Sequence, residues 1–352
     1  MPELDRSMAR VLALLRGGGD IRDVLAVTTE RRGLDLSDLA PEAQAALLAE
    51  RTAALEPSPA ALAARITDAA ATGRPLVAKF TVEPFGRDFH LGNTVPLLVL
   101  DRLRRMGHQV VFVLGTVTAK VGDASGGVTH ASRATDDELL GNFAAYRAQV
   151  APFVDFDAVR VRHNADWLAH VPLPRLLALT SQVPTSLWRD AAPTTVAQLL
   201  YAVAKTIDSM EIGADVEVGG TYLTDAMAVC RHVMAAEGTE PEITLATPLI
   251  HGIDGETLMS ASRGNHVPLS APPHEVFALL SALPHRLVPS YLRALTEWRD
   301  AEIDVAAHRL TPVALRALAA ADITAALHGP EAALHAWEAH RDATEDNISA
   351  FC

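Results

Sequence analysis

Lysine is nearly missing from this chain of 352 residues: Lys79, Lys120 and Lys205 are the only three. Asp and Glu number 43 against 30 Lys and Arg, for a formal net charge of −13. That balance, with no dense Lys/Arg run, argues against a sequence-blind nucleic-acid binder, which needs a basic face. Cysteine is scarce as well. Cys230 and Cys352 are the only two, too few for a disulfide scaffold and suited to a reducing compartment. No apolar run is long enough to span a bilayer, and the early acidic residues do not fit a signal peptide. The expectation is a cytoplasmic protein without membrane contact. There is no internal repeat, no zinc-spaced Cys/His set and no low-complexity tail, so no metal is expected.

What is present is a globular composition, 49% hydrophobic and 21% charged, with length for one large domain or two sharing a core. Residues 74–126 organise the rest. Apolar runs at 76–82 and 110–114 predict strands, and 94–106 predicts a helix between them. The turn Phe89-His90-Leu91-Gly92-Asn93 joins the first strand to that helix. Strand, turn, helix and strand make the unit of a parallel sheet covered by helices. Gly92 admits a ligand close to the backbone, and the helix start offers unpaired N–H groups to an anion.

On the N-terminal side, alanine- and leucine-rich patterns predict helices at 7–16, 41–55 and 60–70. They read as a cap packed on the main domain or on a second subunit. On the C-terminal side, the small-residue loop 115–126 follows a strand, where open α/β sheets bind ligands. Thr135-Asp136-Asp137-Glu138 opens a helix running to about 149, and 153–161 predicts a third strand. Residues 164–210 read as mostly helical. Strands follow at 216–218 and 243–249 around a helix at 225–236, and the pattern is helical again from Pro272. The expected division is a helical extension at 1–72, a catalytic domain at 73–270 and a helical region at 271–352.

One helix, predicted at 194–210, carries Tyr201, Lys205 and Asp208 at i, i+4 and i+7, on one face. That face is either a solvated polar stripe or one turned toward a buried pocket. The remaining polar and aromatic features have plain readings. His108, His163, His232, His251 and His266 read as surface or turn histidines, Cys230 as a small buried residue, and Trp167, Trp188 and Trp298 as packing groups.

An ordered series of motifs runs from Gly73 to Trp298. It comprises Gly73-Arg-Pro-Leu, His90-Leu-Gly-Asn93, Gly107-His108, Gly122-Asp123-Ala-Ser-Gly126, Ala214-Asp-Val-Glu-Val-Gly-Gly220 and Met259-Ser-Ala-Ser-Arg-Gly-Asn265. Through it the chain resembles bacterial tyrosyl-tRNA synthetases, class I enzymes with a Rossmann-like catalytic domain. The resemblance implies an α/β fold with a parallel sheet and a homodimer paired through a central helical insertion. It also implies a reaction joining an amino acid to the α-phosphate of ATP and passing the acyl group to tRNA.

Residue by residue, the resemblance implies a retained amino-acid pocket. Asp123 and Tyr201 match groups that bind the substrate ammonium, and Asp208 matches the aspartate that holds the phenol hydroxyl. Lys79 lies at the pocket wall. Lys205 stands where the family has a glutamine near the ammonium, so it needs Asp123 or Asp208 to neutralise it, or it welcomes an anion. The ATP side departs further. His90 is kept, but Asn93 replaces the second histidine of the first signature. The second signature, Lys-Met-Ser-Lys-Ser in the family, reads Leu258-Met259-Ser260-Ala261-Ser262. Gly127 and Ala131 fall where bacterial members commonly carry two more phosphate-facing cations. Tyr222 takes the place of the acidic residue that grips the ribose, and Leu223 that of a glutamine. Gly92, Gly220, Met259, Ser260 and Ser262 remain as nucleotide contacts only if the nucleotide half is retained.

Removing one donor to transition-state charge costs ~3 kcal/mol, and losing several costs roughly 6 kcal/mol or more even without additivity. The expectation is a repurposed synthetase-type protein that binds tyrosine or a related amino-acid derivative without standard adenylation. His90, Asn93 and Lys205 are its candidate catalytic groups. Lys79, Asp123, Tyr201, Lys205, Asp208 and Tyr222 are its candidate substrate contacts. ATP is a doubtful cofactor, and tRNA is not an expected partner, given the acidic balance and a chain stopping at Cys352. Two alternatives stand beside it: an ATP-dependent amino-acid ligase with drifted motifs, and a non-catalytic amino-acid-binding regulator.

Overall fold

The computed structural model describes residues 2–121, 134–187 and 195–344. The described strands are β1 Ala54–Glu56, β2 Val77–Val82, β3 Gln109–Leu114, β4 Arg160–His163, β5 Val216–Gly220 and β6 Ile243–Thr247. They form one sheet in the order β1-β6-β5-β2-β3-β4. All neighbours are parallel except β1, which runs antiparallel to β6.

The N-terminal helices are α1 Pro2–Gly17, α2 Ile21–Arg32, α3 Pro41–Ala49 and α4 Pro59–Ala71. The middle of the chain supplies α5 Val95–Arg105, α6 Thr116–Ala119, α7 Asp136–Val150, α8 Ala165–Leu168, α9 Leu173–Thr180, α10 Val196–Ile212 and α11 Thr224–Ala236. The last are α12 Pro273–Ser281, α13 Val288–Leu295, α14 Asp300–Arg309, α15 Pro312–His328 and α16 Pro330–Thr344. No helix among the described residues is long and apolar enough to cross a membrane.

The α/β class stands as the sequence predicts, and local chemistry explains the helix starts. Thr135 accepts from the Glu138 N–H while the Glu138 carboxylate accepts from the Thr135 N–H at 2.8 Å, a capping box opening α7. Thr195 and Gln198 do the same for α10.

Two elements differ from the sequence prediction. The helix predicted over 41–55 ends at Ala49, and 54–56 becomes β1, with Ala54 opposite Ala246 and Leu55 opposite Leu245. Helix propensity is a weak prior there, and the unpaired backbone edge of β6 overrides it. The strand predicted at 153–161 lies later, at Arg160–His163. Phe153 and Phe156 pack their rings on the core from the preceding turn instead, with Phe156 5.3 Å from Phe112.

Residues 1–72 are bound to the C-terminal helices by buried ion pairs. Arg31 of α2 donates to both carboxylate oxygens of Glu302 at 2.7 Å and to the Glu297 carbonyl at 3.0 Å. Arg102 and Arg105 of α5 converge on the Glu297 carboxylate at 2.7 and 2.6 Å. Burial works to raise the Glu297 pKa, but Arg102 and Arg105 overcome it and hold the carboxyl below its ordinary 4.5. A depressed folded-state pKa makes its stabilisation fully present above about pH 4.5, and that stabilisation is lost as acid protonates the folded protein. Glu297→Gln is therefore expected to lower the urea midpoint at pH 7 and to flatten its decline below pH 4.5. Parallel acid limbs in the two proteins would show that Glu297 does not drive the acid response.

Candidate functional site

From β2 the sheet winds outward in two directions, through β3 and β4 on one side and β5 and β6 on the other. Such a reversal leaves a crevice beyond the carboxyl ends of the strands, where ligands bind in open α/β sheets. The cleft found there has a volume of about 250 Å³. Phe80 to Glu83 enter it from β2 and its exit, Gly220 and Tyr222 from the end of β5, and Thr247 to Ile250 from the end of β6. His90, Gly92, Asn93, Leu258 and Met259 complete one side, and Tyr146 of α7 the other.

The two signature turns are locked together. The Leu91 N–H donates to the Val267 carbonyl at 3.0 Å, the Leu269 N–H to Phe89 at 2.9 Å, and the Gly92 N–H to the Met259 sulfur at 3.3 Å. Asn93 turns its carbonyl back onto the His90 N–H at 2.9 Å. A side chain at Gly92 would put a Cβ 3.0 Å from the His90 ring, so glycine is what lets the imidazole lie over this turn. Ser260 and Ser262 share a hydroxyl contact of 2.9 Å. At the opposite wall a Cβ on Gly220 would meet the Tyr222 ring at 2.5 Å, so Tyr222 lies over bare backbone.

His90 is less isolated than the sequence reading allows. The ring of His266, read there as a surface or turn group, lies 6.0 Å from it. Burial, with His266 beside it, pushes His90 down to about 4, which keeps the imidazole neutral at pH 7 and able to accept a proton.

Below the cleft is a buried charge cluster. Tyr201, Lys205 and Asp208 are all buried, so the polar face of α10 is not a solvated stripe. Register explains the rest: Lys79 on β2 lies directly opposite Glu217 on β5, so both side chains leave the same face of the sheet, under α10. The Lys205 ammonium binds Glu217 at 2.6 Å, and Lys79 binds the other Glu217 oxygen at 3.2 Å and lies 3.9 Å from Glu242. Among the described residues Glu217, rather than Asp208, is thus the carboxylate bound to Lys205. Burial tends to raise the Glu217 pKa, but Lys205 and Lys79 force it down. Burial, only partly opposed by Lys79, raises Glu242 above the carboxylate range. Glu217, Cys230 and Glu242 hold donor atoms within 4.8 Å of one another. Because the Lys79 ammonium already sits on two of the three, the set reads as an ion cluster and not a metal centre.

Asp208 accepts from the Trp167 indole N–H at 2.7 Å through one oxygen. Its other oxygen is buried as well. Burial raises the carboxyl to about 6, with Lys79 and Trp167 holding it back. The Tyr201 hydroxyl donates to Glu83 at 3.2 Å, joining this floor to the cleft lining. Asp123 lies outside the described residues, as do Gly127, Ala131 and Trp188.

Sequence reasoning missed the parts played by Glu217, Tyr146 and His266. Glu217 carried a signal: a carboxylate between valines in a strand must find a cation, and the chain has three lysines. Tyr146 carried none, since a tyrosine in an amphipathic helix reads as core.

The comparisons with known proteins agree with this architecture. The family model for tRNA synthetases class I (W and Y) matches residues 71–345. The chain is 31% identical over 290 residues to a tyrosine–tRNA ligase of Moorella thermoacetica, covering 78% of this chain and 70% of that protein. It is 32% identical over 275 residues to one of Thermotoga maritima, covering 74% and 69%. The fold is that of the tyrosyl-tRNA synthetase of Archaeoglobus fulgidus, solved with L-tyrosine, at a TM-score of 0.65 and 18% identity over 84% of this chain and 98% of that one. These likenesses give no support to ruling out tRNA as a partner. Motif order, sheet topology and identity along most of the length meet in one conclusion: the chain belongs to the tyrosyl-tRNA synthetase family of class I tRNA synthetases.

Proposed function

We propose that this chain binds tyrosine or a related amino-acid derivative at the crevice beside His90, and acts on it without standard adenylation by ATP or charging of tRNA. The observation that carries the reading is the placement of its cations. Lys79 and Lys205 are buried on Glu217, and no Lys or Arg lines the cleft among the described residues. Among the described residues, a triphosphate entering a crevice lined by one carboxylate and a neutral imidazole meets no compensating charge. An amino-acid-like ligand meets a suitable group there, the Glu83 carboxylate for an ammonium.

In this reading His90 is the proton acceptor, Asn93 sets its turn, and Lys205 holds the floor through its ion pair with Glu217. Exposed Leu173 and Leu177 on α9 give an apolar face to a second copy of the chain, in keeping with a homodimer. A second reading, an ATP-dependent amino-acid ligase with tRNA as acceptor, is favoured by the relatives named tyrosine–tRNA ligases.

Calorimetric titration with tyrosine, tyrosinamide and ATP, together with ATP–pyrophosphate exchange, separates the two. The expected result is heat from at least one of the aromatic ligands, none from ATP, and no exchange. Tyrosine-dependent exchange would replace the first reading by the second, and silence from all the aromatic ligands would end both.

A further inference from the structure

Three exposed large apolar side chains line the mouth of the cleft: Tyr222 at 47%, Leu258 at 43% and Leu249 at 40% exposure. A surface leucine on its own needs no explanation, but apolar groups that converge on one cavity mark a place a ligand covers.

Local structure brings them together. β5 and β6 are parallel neighbours, with Gly220 opposite Thr247, so the chain leaves both strands at the same end. A Cβ on Gly220 would lie 2.5 Å from the Tyr222 ring and 3.3 Å from a Leu249 methyl, so bare backbone seats both side chains. Leu258 arrives on the returning arm of the turn that follows β6. There the Met259 N–H donates to the Ile250 carbonyl at 3.0 Å and the Gly252 N–H to the Thr257 carbonyl at 2.8 Å. Asp254 holds the tip, accepting from the Glu256 N–H at 3.0 Å and the Asn265 amide at 2.8 Å. The rim is therefore set in advance, and a ligand loses little affinity to ordering it.

Chemistry decides what belongs on this rim. The side chains of Leu249 and Leu258 offer a charged group neither a hydrogen bond nor a countercharge, and no Lys or Arg lines the cleft among the described residues. An apolar group gains by covering all three side chains, and Tyr222 adds a ring against which another ring can pack. Buried Ile250 and Met259 continue the apolar lining. A cleft of about 250 Å³ has room for one ring or a short alkyl chain beside a compact polar part, and not for a long lipid.

We infer that the mouth of the cleft binds an uncharged apolar substituent, an aromatic ring or a short alkyl chain, and that the ligand is an amino-acid derivative carrying such a group. The amino-acid part rests on the reading above; the apolar part does not. Phenylnaphthylamine, an uncharged dye that is bright only in apolar surroundings, tests the mouth without any amino-acid anchor. It is expected to bind saturably. Leu258→Gln and Leu249→Gln are each expected to weaken it by at least about fivefold, and Leu173→Gln, on the exposed face of α9, to leave it unchanged. Calorimetric titration with the methyl, butyl and hexyl esters of tyrosine tests the substrate. Each added methylene is expected to tighten binding by about two- to fourfold until the mouth is filled.

No dye binding, dye binding that survives both rim variants, or an ester series of constant affinity overturns the inference, and tyrosine binding would then leave the amino-acid reading standing. Dye binding at the rim with no binding of tyrosine or its esters keeps the apolar mouth and sinks the amino-acid reading.

Discussion

Glu217→Gln is expected to destabilise the protein by about 3–5 kcal/mol, because removing one partner of a buried ion pair strands the other charge in a low-dielectric interior. Here one carboxylate serves two ammonium groups, Lys205 at 2.6 Å and Lys79 at 3.2 Å, and all three side chains are buried. Lys79 keeps Glu242 at 3.9 Å. Among the described residues no second carboxylate lies within salt-bridge reach of the Lys205 ammonium, so it bears most of the loss. The double variant Glu217→Gln with Lys205→Gln exchanges the pair for two neutral amides. It is expected to recover at least half of the penalty, since it removes the stranded charge and not only its partner. Equilibrium urea unfolding of the single and double variants reads both numbers. A single-variant cost under about 1 kcal/mol would mean that water or another carboxylate reaches the lysines. The double variant also restores glutamine at the position where the family resemblance places one, so its fold should tolerate the exchange.

This cluster marks the limit of what the sequence discloses. Strand, turn and helix around His90 were legible because apolar period and turn residues agree there, and the motif series located the sheet and the crevice. Tyr201, Lys205 and Asp208 were placed on one helical face, but a helical period says nothing about which neighbour that face meets. Lys205 looked like a cation seeking a ligand. Its partner is fixed only by the register that sets Lys79 opposite Glu217, and register comes from the paired sheet. His266 and Tyr146 were hidden for a similar reason. The first reaches His90 through the pairing of two distant turns, and the second reaches the cleft from α7, far from the motifs that mark it. The segment 54–56 failed in another way, as a local preference for helix yielded to a sheet edge far away in sequence.

Leu258→Lys combined with Ala261→Lys is expected to give the protein measurable affinity for ATP, a gain of tenfold or more. The scaffold that would present these lysines is intact. The Met259 sulfur accepts from Gly92 at 3.3 Å, and Ser260 is held by the Asn265 side chain at 2.9 Å. The turn therefore faces the cleft as a phosphate-binding turn would. Leu258 is 43% exposed, so a longer polar side chain fits there without displacing core, and Ala261 begins a short 3-10 turn at the same rim. A charge-assisted hydrogen bond contributes roughly 1.5–3 kcal/mol, so even one productive contact is about tenfold and two approach a hundredfold or more. The gain should fall steeply with added salt, as binding driven by exposed cations does. Titration calorimetry of the double variant measures it, with Leu258→Gln and Ala261→Gln as the uncharged control. If the charged variant gains nothing, missing cations are not what excludes ATP. The obstacle would then lie across the cleft, where the Tyr222 ring covers the Gly220 backbone. Adding Tyr222→Asp to the two lysines, which puts back the acidic type the resemblance implies at that position, would then decide between lost charge and lost space.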